Sequence, residues 1–171
     1  GSRFSIELPM AAAGSFEADI GFMEAHWQET AAEEKHTVLY IEDQLSNLRL
    51  IERVFDRRPH ISLVAAMQGQ LGVEVARQNP PDLVLLDMHL PDIPGDEVMK
   101  RLRQDPRTAA VPIVVISADA TELTTKRMLA AGALDYLSKP VDVSRLLELV
   151  DEQIEASEHR TQGLVVAEGG N

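Results

Sequence analysis

Four short apolar runs in this chain end in residues able to do chemistry. Run 38–41 leads into Glu42-Asp43, run 83–86 into Asp87, run 113–116 into Ser117, and run 134–137 into Ser138-Lys139-Pro140. An acid directly after Leu83-Val84-Leu85-Leu86 is costly to bury unless it is used. Brought together, three carboxylates repel one another, so protons or a cation must offset them. A hard divalent ion with oxygen ligands, Mg²⁺ above all, suits such a donor set. A carboxylate beside that ion can attack phosphorus and carry an acyl phosphate. Phosphoryl transfer chiefly needs positioning and neutralisation of the phosphoryl oxygens. Lys139 would supply a point charge and Ser117 a hydroxyl donor. Taken singly, each residue also has a plainer use: Asp43 as a helix cap, Ser117 as a strand-end hydroxyl, Lys139 as a solvated loop lysine. His89 alone does not make a transition-metal site, because no second His or Cys stands at ligand spacing.

These residues converge only if the runs before them are neighbouring strands. A further apolar run, 60–67, completes five strand candidates, and amphipathic stretches follow each of the five. Helical spacing is clear in Leu45, Leu48, Ile51, Val54 and Phe55, and again in Leu146, Leu147, Leu149, Val150 and Ile154. Further helices are expected over 71–77, 97–104 and 121–131, the last stopped by Gly132. Asn79-Pro80-Pro81 and Asp92-Ile93-Pro94-Gly95 mark breaks. The alternation predicts an α/β protein with a five-stranded, doubly wound parallel sheet and helices on both faces. In such folds ligands sit at the carboxyl ends of the strands near the topological switch point. The polar strand ends stand at that edge.

Composition narrows the class. The 171 residues contain no cysteine, which excludes a disulfide framework, a thiolate zinc site and a cysteine nucleophile. An apolar fraction of 44% with 26% charged residues argues against wholesale disorder. The net charge of −12 argues against a grip on nucleic acid or an anionic membrane, both of which need a basic face. No apolar run reaches the length of a spanning helix, and no signal-peptide pattern is present, so a cytoplasmic location is expected. The charge is uneven: residues 11–35 hold six acids and one base, which places a domain boundary near residue 35.

Leu39-Tyr40-Ile41-Glu42-Asp43, the segment 81–91, Val114-Val115-Ile116-Ser117-Ala118 and Tyr136-Leu137-Ser138-Lys139-Pro140 resemble, in order and spacing, the four sequence blocks of response-regulator receiver domains. The resemblance implies a flavodoxin-like strand order 2-1-3-4-5 and a receiver domain over 36–157. It implies Asp87 as phosphoacceptor, and Mg²⁺ held by Glu42, Asp43, Asp87 and the backbone carbonyl of His89. Ser117 and Tyr136 resemble the family's switch pair, Lys139 its phosphate-pairing lysine, and the bond before Pro140 its cis peptide. His89 and Asp119 occupy positions that in the family tune hydrolysis of the acyl phosphate, although solvated loop residues read equally well there. The implied partners are a histidine kinase core and a histidine phosphotransfer domain.

Residues 1–10 resemble the last glycine-rich box and final strand of a histidine-kinase ATP-binding domain, or belong to a tag. The resemblance suggests the receiver of a hybrid sensor histidine kinase: a self-catalysing phosphoacceptor without kinase activity of its own. Phe16, Ile20, Met23 and Trp27 recur at helical spacing in the acidic linker 11–35, and the stripe suits docking on the receiver or on its copy in a homodimer. A flexible linker is the other reading, favoured by Gly14 and Gly21. The tail 158–171 is expected to be disordered. Two rival functions are a haloacid-dehalogenase-like phosphatase and a degenerate receiver used only as a docking module. The first needs an Asp two residues after the nucleophile, where this chain has His89. The intact acidic rim argues against the second.

Overall fold

The computed structural model describes residues 36–119 and 121–168, with side-chain surroundings as far as residue 157. The expectations for 1–10 and for the linker 11–35 lie outside the described residues. Strands β1 (His36–Ile41), β2 (Ile61–Ala66), β3 (Leu83–Asp87), β4 (Ile113–Ser117) and β5 (Asp135–Ser138) alternate with five helices. These are α1 (Leu45–Phe55), α2 (Gly69–Gln78), α3 (Gly95–Gln104), α4 (Glu122–Ala130) and α5 (Val143–Glu168). All strand pairs are parallel, as the alternation predicts, in the order β2-β1-β3-β4-β5 that the family resemblance implies.

The apolar runs become strands because both of their faces are covered. Along β3, Val84 and Leu86 face a core that includes Val73, Val98, Leu102 and Met128. Leu83 and Leu85, one step out of phase, face Leu48, Ile51, Phe55, Leu146 and Val150 from α1 and α5. Every residue of β3 and β4 is buried, including the terminal Asp87 and Ser117. The helix α4 ends at Ala131 and Gly132, whose φ of +102° is a conformation that side chains with a Cβ rarely adopt.

Two boundaries differ from the sequence reading. Strand β1 starts at His36, because the His36 N–H bonds the His60 carbonyl and pairing with β2 continues to that point. The backbone of α5 stays helical to Glu168, through most of the stretch expected to be disordered. Gly163 within it costs about 1 kcal/mol relative to alanine, too little to end a helix by itself. Among the described residues no helix is long and apolar enough to cross a membrane.

The middle strand carries the packing of both faces. Leu85 is fully buried, so Leu85→Ala is expected to lower stability by about 2–5 kcal/mol in chemical denaturation. Leu123→Ala, at a site 79% exposed, is expected to change it by about 0.5 kcal/mol or less.

Candidate functional site: an acidic pocket at the carboxyl edge of the sheet

The register of the central strands assembles the site. Ile41 of β1 lies beside Leu86 of β3, so the next residues, Glu42 and Asp87, are neighbours at the sheet edge. Glu42 keeps strand pairing through its N–H to the Ala66 carbonyl, 3.0 Å. Asp43 follows in the turn before α1. One carboxylate oxygen from each of Glu42, Asp43 and Asp87 lies within 4.8 Å of the others. Glu42 and Asp87 are almost wholly buried.

Lys139 arrives from the far side of β4. Its backbone N–H donates to the Ser117 carbonyl at 2.8 Å, and the Lys139–Pro140 peptide is cis. Its ammonium donates to Asp87 Oδ2 at 2.7 Å and to Glu42 Oε2 at 2.8 Å. The other Asp87 oxygen accepts the His89 N–H at 3.0 Å. Glu42 Oε1 accepts the Gln44 N–H at 3.1 Å, and Oε2 also accepts the Tyr40 hydroxyl at 2.8 Å. Asp43 Oδ1 is buried and has no hydrogen-bond partner among the described residues. A buried anionic oxygen left without a donor beside two further carboxylates is the donor set a hard divalent cation takes. The residues present therefore fit Mg²⁺.

The electrostatics follow from burial and proximity. Burial pushes the Glu42 carboxyl above its ordinary range, with Lys139 opposing and the charge of Asp87 adding to the rise. Burial alone would lower the Lys139 ammonium, but its hydrogen bonds to Asp87 and Glu42 outweigh this and hold it above its usual value. Burial, and then the charge of Glu42, push the Tyr40 hydroxyl far upward, so it stays protonated and remains a donor.

Backbone packing fixes the loop after Asp87. The Gly95 N–H closes onto the Met88 carbonyl at 3.1 Å. A Cβ at residue 95 would stand 2.6 Å from the Asp87 carbonyl oxygen and 2.8 Å from Met88 Cα, so only glycine lets α3 begin this close to the site. Asp92 accepts the Gly69 and Gln70 N–H groups, both at 2.8 Å, and so ties this loop to the start of α2. These contacts hold its carboxyl below the usual range against burial, which acts to raise it.

The two expected switch residues are joined through Asp119. Ser117 Oγ accepts the Asp119 N–H at 3.2 Å, and the Tyr136 hydroxyl donates to the Asp119 carbonyl. The Asp119 side chain is engaged with the start of α4, accepting from the Thr121 N–H and the Thr124 hydroxyl. The His89 imidazole is exposed, with Nδ1 4.0 Å from Asp87 Oδ1. Sequence reasoning thus named the acids, Lys139, Ser117 and Tyr136, but missed Tyr40, Asp92 and the packing role of Gly95. Tyr40 had a signal: it precedes Glu42 by two residues in a strand run, and so shares its face.

The model of the response regulator receiver domain family matches residues 38–151. The signal transduction histidine-protein kinase BarA of Escherichia coli K12 is 34% identical over 115 residues, 67% of this chain but 12% of the kinase. The chain therefore spans about an eighth of that relative's length. The polar-differentiation response regulator DivK of Brucella ovis is 29% identical over 114 residues, 67% of this chain and 92% of that protein. Among solved structures, the receiver domain of the sensor histidine kinase PA1611 from Pseudomonas aeruginosa PAO1 superposes with a TM-score of 0.64. It is 26% identical, and the match covers 71% of this chain and 98% of that one; its magnesium ion is coordinated in the active-site cleft.

Lys139→Ala leaves two buried carboxylates without their shared cation. At neutral pH and without divalent ions, the expected loss of stability is on the order of 2 kcal/mol. Addition of Mg²⁺ recovers part of that loss, and lowering the pH shrinks it as the raised Glu42 carboxyl takes up a proton. Denaturation curves with and without Mg²⁺ check both statements.

Proposed function

The chain belongs to the response regulator receiver domain family, and from that premise we propose that it accepts a phosphoryl group on Asp87 from a phosphohistidine. The observation that carries this reading is the position of Lys139. Its one ammonium bridges Asp87 and Glu42, while Asp43 Oδ1 has no hydrogen-bond partner among the described residues. The pocket thus offers a nucleophilic carboxylate, a cation for the incoming phosphoryl oxygens, and donors for a metal ion.

In this reading Glu42, Asp43, Asp87 and the His89 carbonyl hold Mg²⁺. The ion supplies neutralisation of charge on the phosphoryl oxygens. An Asp87 oxygen attacks phosphorus, the P–N bond of the donor breaks, and the leaving imidazole keeps the electron pair and takes one proton from solvent to end as the neutral ring. Lys139 transfers its hydrogen bonding to the phosphoryl oxygens. The Ser117 hydroxyl turns toward the same group, which alters the Ser117–Asp119–Tyr136 connection and so biases the outer face around α4 and β5. The phosphohistidine comes from a histidine kinase core, and the next acceptor is a histidine phosphotransfer domain. The match to one part of BarA supports a hybrid-kinase origin for the receiver.

Incubation with Mg²⁺ and acetyl phosphate is expected to give an acid-stable, base-labile adduct by intact mass, lost in Asp87→Asn. Lys139→Ala is expected to slow its formation about a hundredfold, as for loss of one charge-stabilising group. Absence of an adduct on the wild-type chain would overturn the reading.

A further inference from the structure

The Tyr40 hydroxyl has no part in the chemistry above. Tyr40 is wholly buried on β1, within the core shared with α1 and α5. Its side chain is among the largest fully buried ones, yet it ends in a polar group that donates to Glu42 Oε2 at 2.8 Å. A phenylalanine would fill this core without a donor. The same Glu42 oxygen takes the Lys139 ammonium at 2.8 Å, while Oε1 is satisfied by the Gln44 N–H. Lys139 therefore serves two carboxylates at once, Glu42 and Asp87. To reach phosphoryl oxygens on Asp87 it must give up part of this arrangement. A buried carboxylate oxygen abandoned by its only donor is costly, and that cost would hold the lysine back. Oε2 has two donors.

We propose that Tyr40 is a positioning residue for phosphoryl transfer: its hydroxyl keeps Glu42 Oε2 hydrogen-bonded while Lys139 moves to the phosphoryl group. The inference rests on Asp87 being the phosphoacceptor. The strand geometry supports it, since residues 40 and 42 project to the same side of β1 and the phenol spans the distance between their positions. Tyr40 does not touch the pocket's incoming group; it acts through Glu42 and Lys139.

The test uses beryllium fluoride with Mg²⁺ as the mimic of the phosphorylated state, read by isothermal titration calorimetry on the full chain. Tyr40→Phe is expected to bind beryllium fluoride about tenfold more weakly, the size of one lost hydrogen bond to a charged group. Its affinity for Mg²⁺ alone is expected to stay within about twofold, because the lysine need not move for the ion to bind. A purely structural role would lower the denaturation midpoint and leave both affinities unchanged. Equal beryllium fluoride affinity in Tyr40→Phe and wild type would therefore overturn the inference. If wild type itself does not bind the mimic, the phosphoacceptor reading fails instead. Should Tyr40→Phe not fold, the comparison passes to Glu42→Gln against Glu42→Gln/Tyr40→Phe. Equal affinities there support the inference, since a neutral amide does not retain Lys139, and a further loss in the double variant overturns it.

Discussion

Three clustered carboxylates, two of them sharing one ammonium, are the constraint on which the rest of this molecule depends. Glu42 and Asp87 are out of water, and without Lys139 their mutual repulsion would have only protons or a metal ion to offset it. An ion pair of this kind contributes little net stability, because desolvation consumes most of the Coulombic gain. Its presence in an otherwise apolar core is therefore better explained by use than by stability. The Asp43 oxygen points the same way, since among the described residues it has no hydrogen-bond partner.

That constraint dictates which strands must be neighbours. Glu42 and Asp87 meet because β1 and β3 pair directly, and Lys139 reaches them from the end of β5, two places from β3 across β4. The β4–β5 junction is fixed at the backbone, where the Lys139 N–H meets the Ser117 carbonyl. Around this edge the loops are held by specific means. Gly95 permits contact of α3 with the Asp87 main chain, and Asp92 fastens the same loop to α2. A carboxylate carried on the last residue of a buried strand, with its following loop tied down on two sides, has little freedom to leave its position.

The other half of the edge is built more loosely. Asp119 is exposed, and hydrogen bonds tie it to Ser117 on one side and Tyr136 on the other. Its carboxylate is occupied with Thr121 and Thr124 at the beginning of α4. The Ser117 hydroxyl is thus connected through Asp119 to the loop and to Tyr136, an aromatic side chain that also packs against the core. The surface nearby exposes Leu123, Leu129 and Leu134. The tied-down loop after Asp87 and the exposed connection through Asp119 follow different strands, β3 and β4.

Much of this was legible in the chain. Alternation of apolar runs with amphipathic stretches specifies a parallel sheet covered on both faces, since no other arrangement buries both kinds of surface. The acids, hydroxyl and lysine that follow those runs then fall on one edge, and their types restrict the chemistry. Other features depend on contacts between residues distant in sequence, and no local pattern encodes these. Asp92 reads as a turn residue until α2 is seen to begin beside it, and the breaker Pro94-Gly95 until the Asp87 carbonyl is found against Gly95. Helix α5 runs beyond the point where its apolar period fades, because backbone hydrogen bonds can continue where side-chain patterning does not. Residue types and order fixed the sheet and the reactive set; which lone pair each donor satisfies, and which is left open beside Asp87, came from packing in three dimensions. Hydrogen bonds are made at ångström separations that a one-dimensional pattern does not contain.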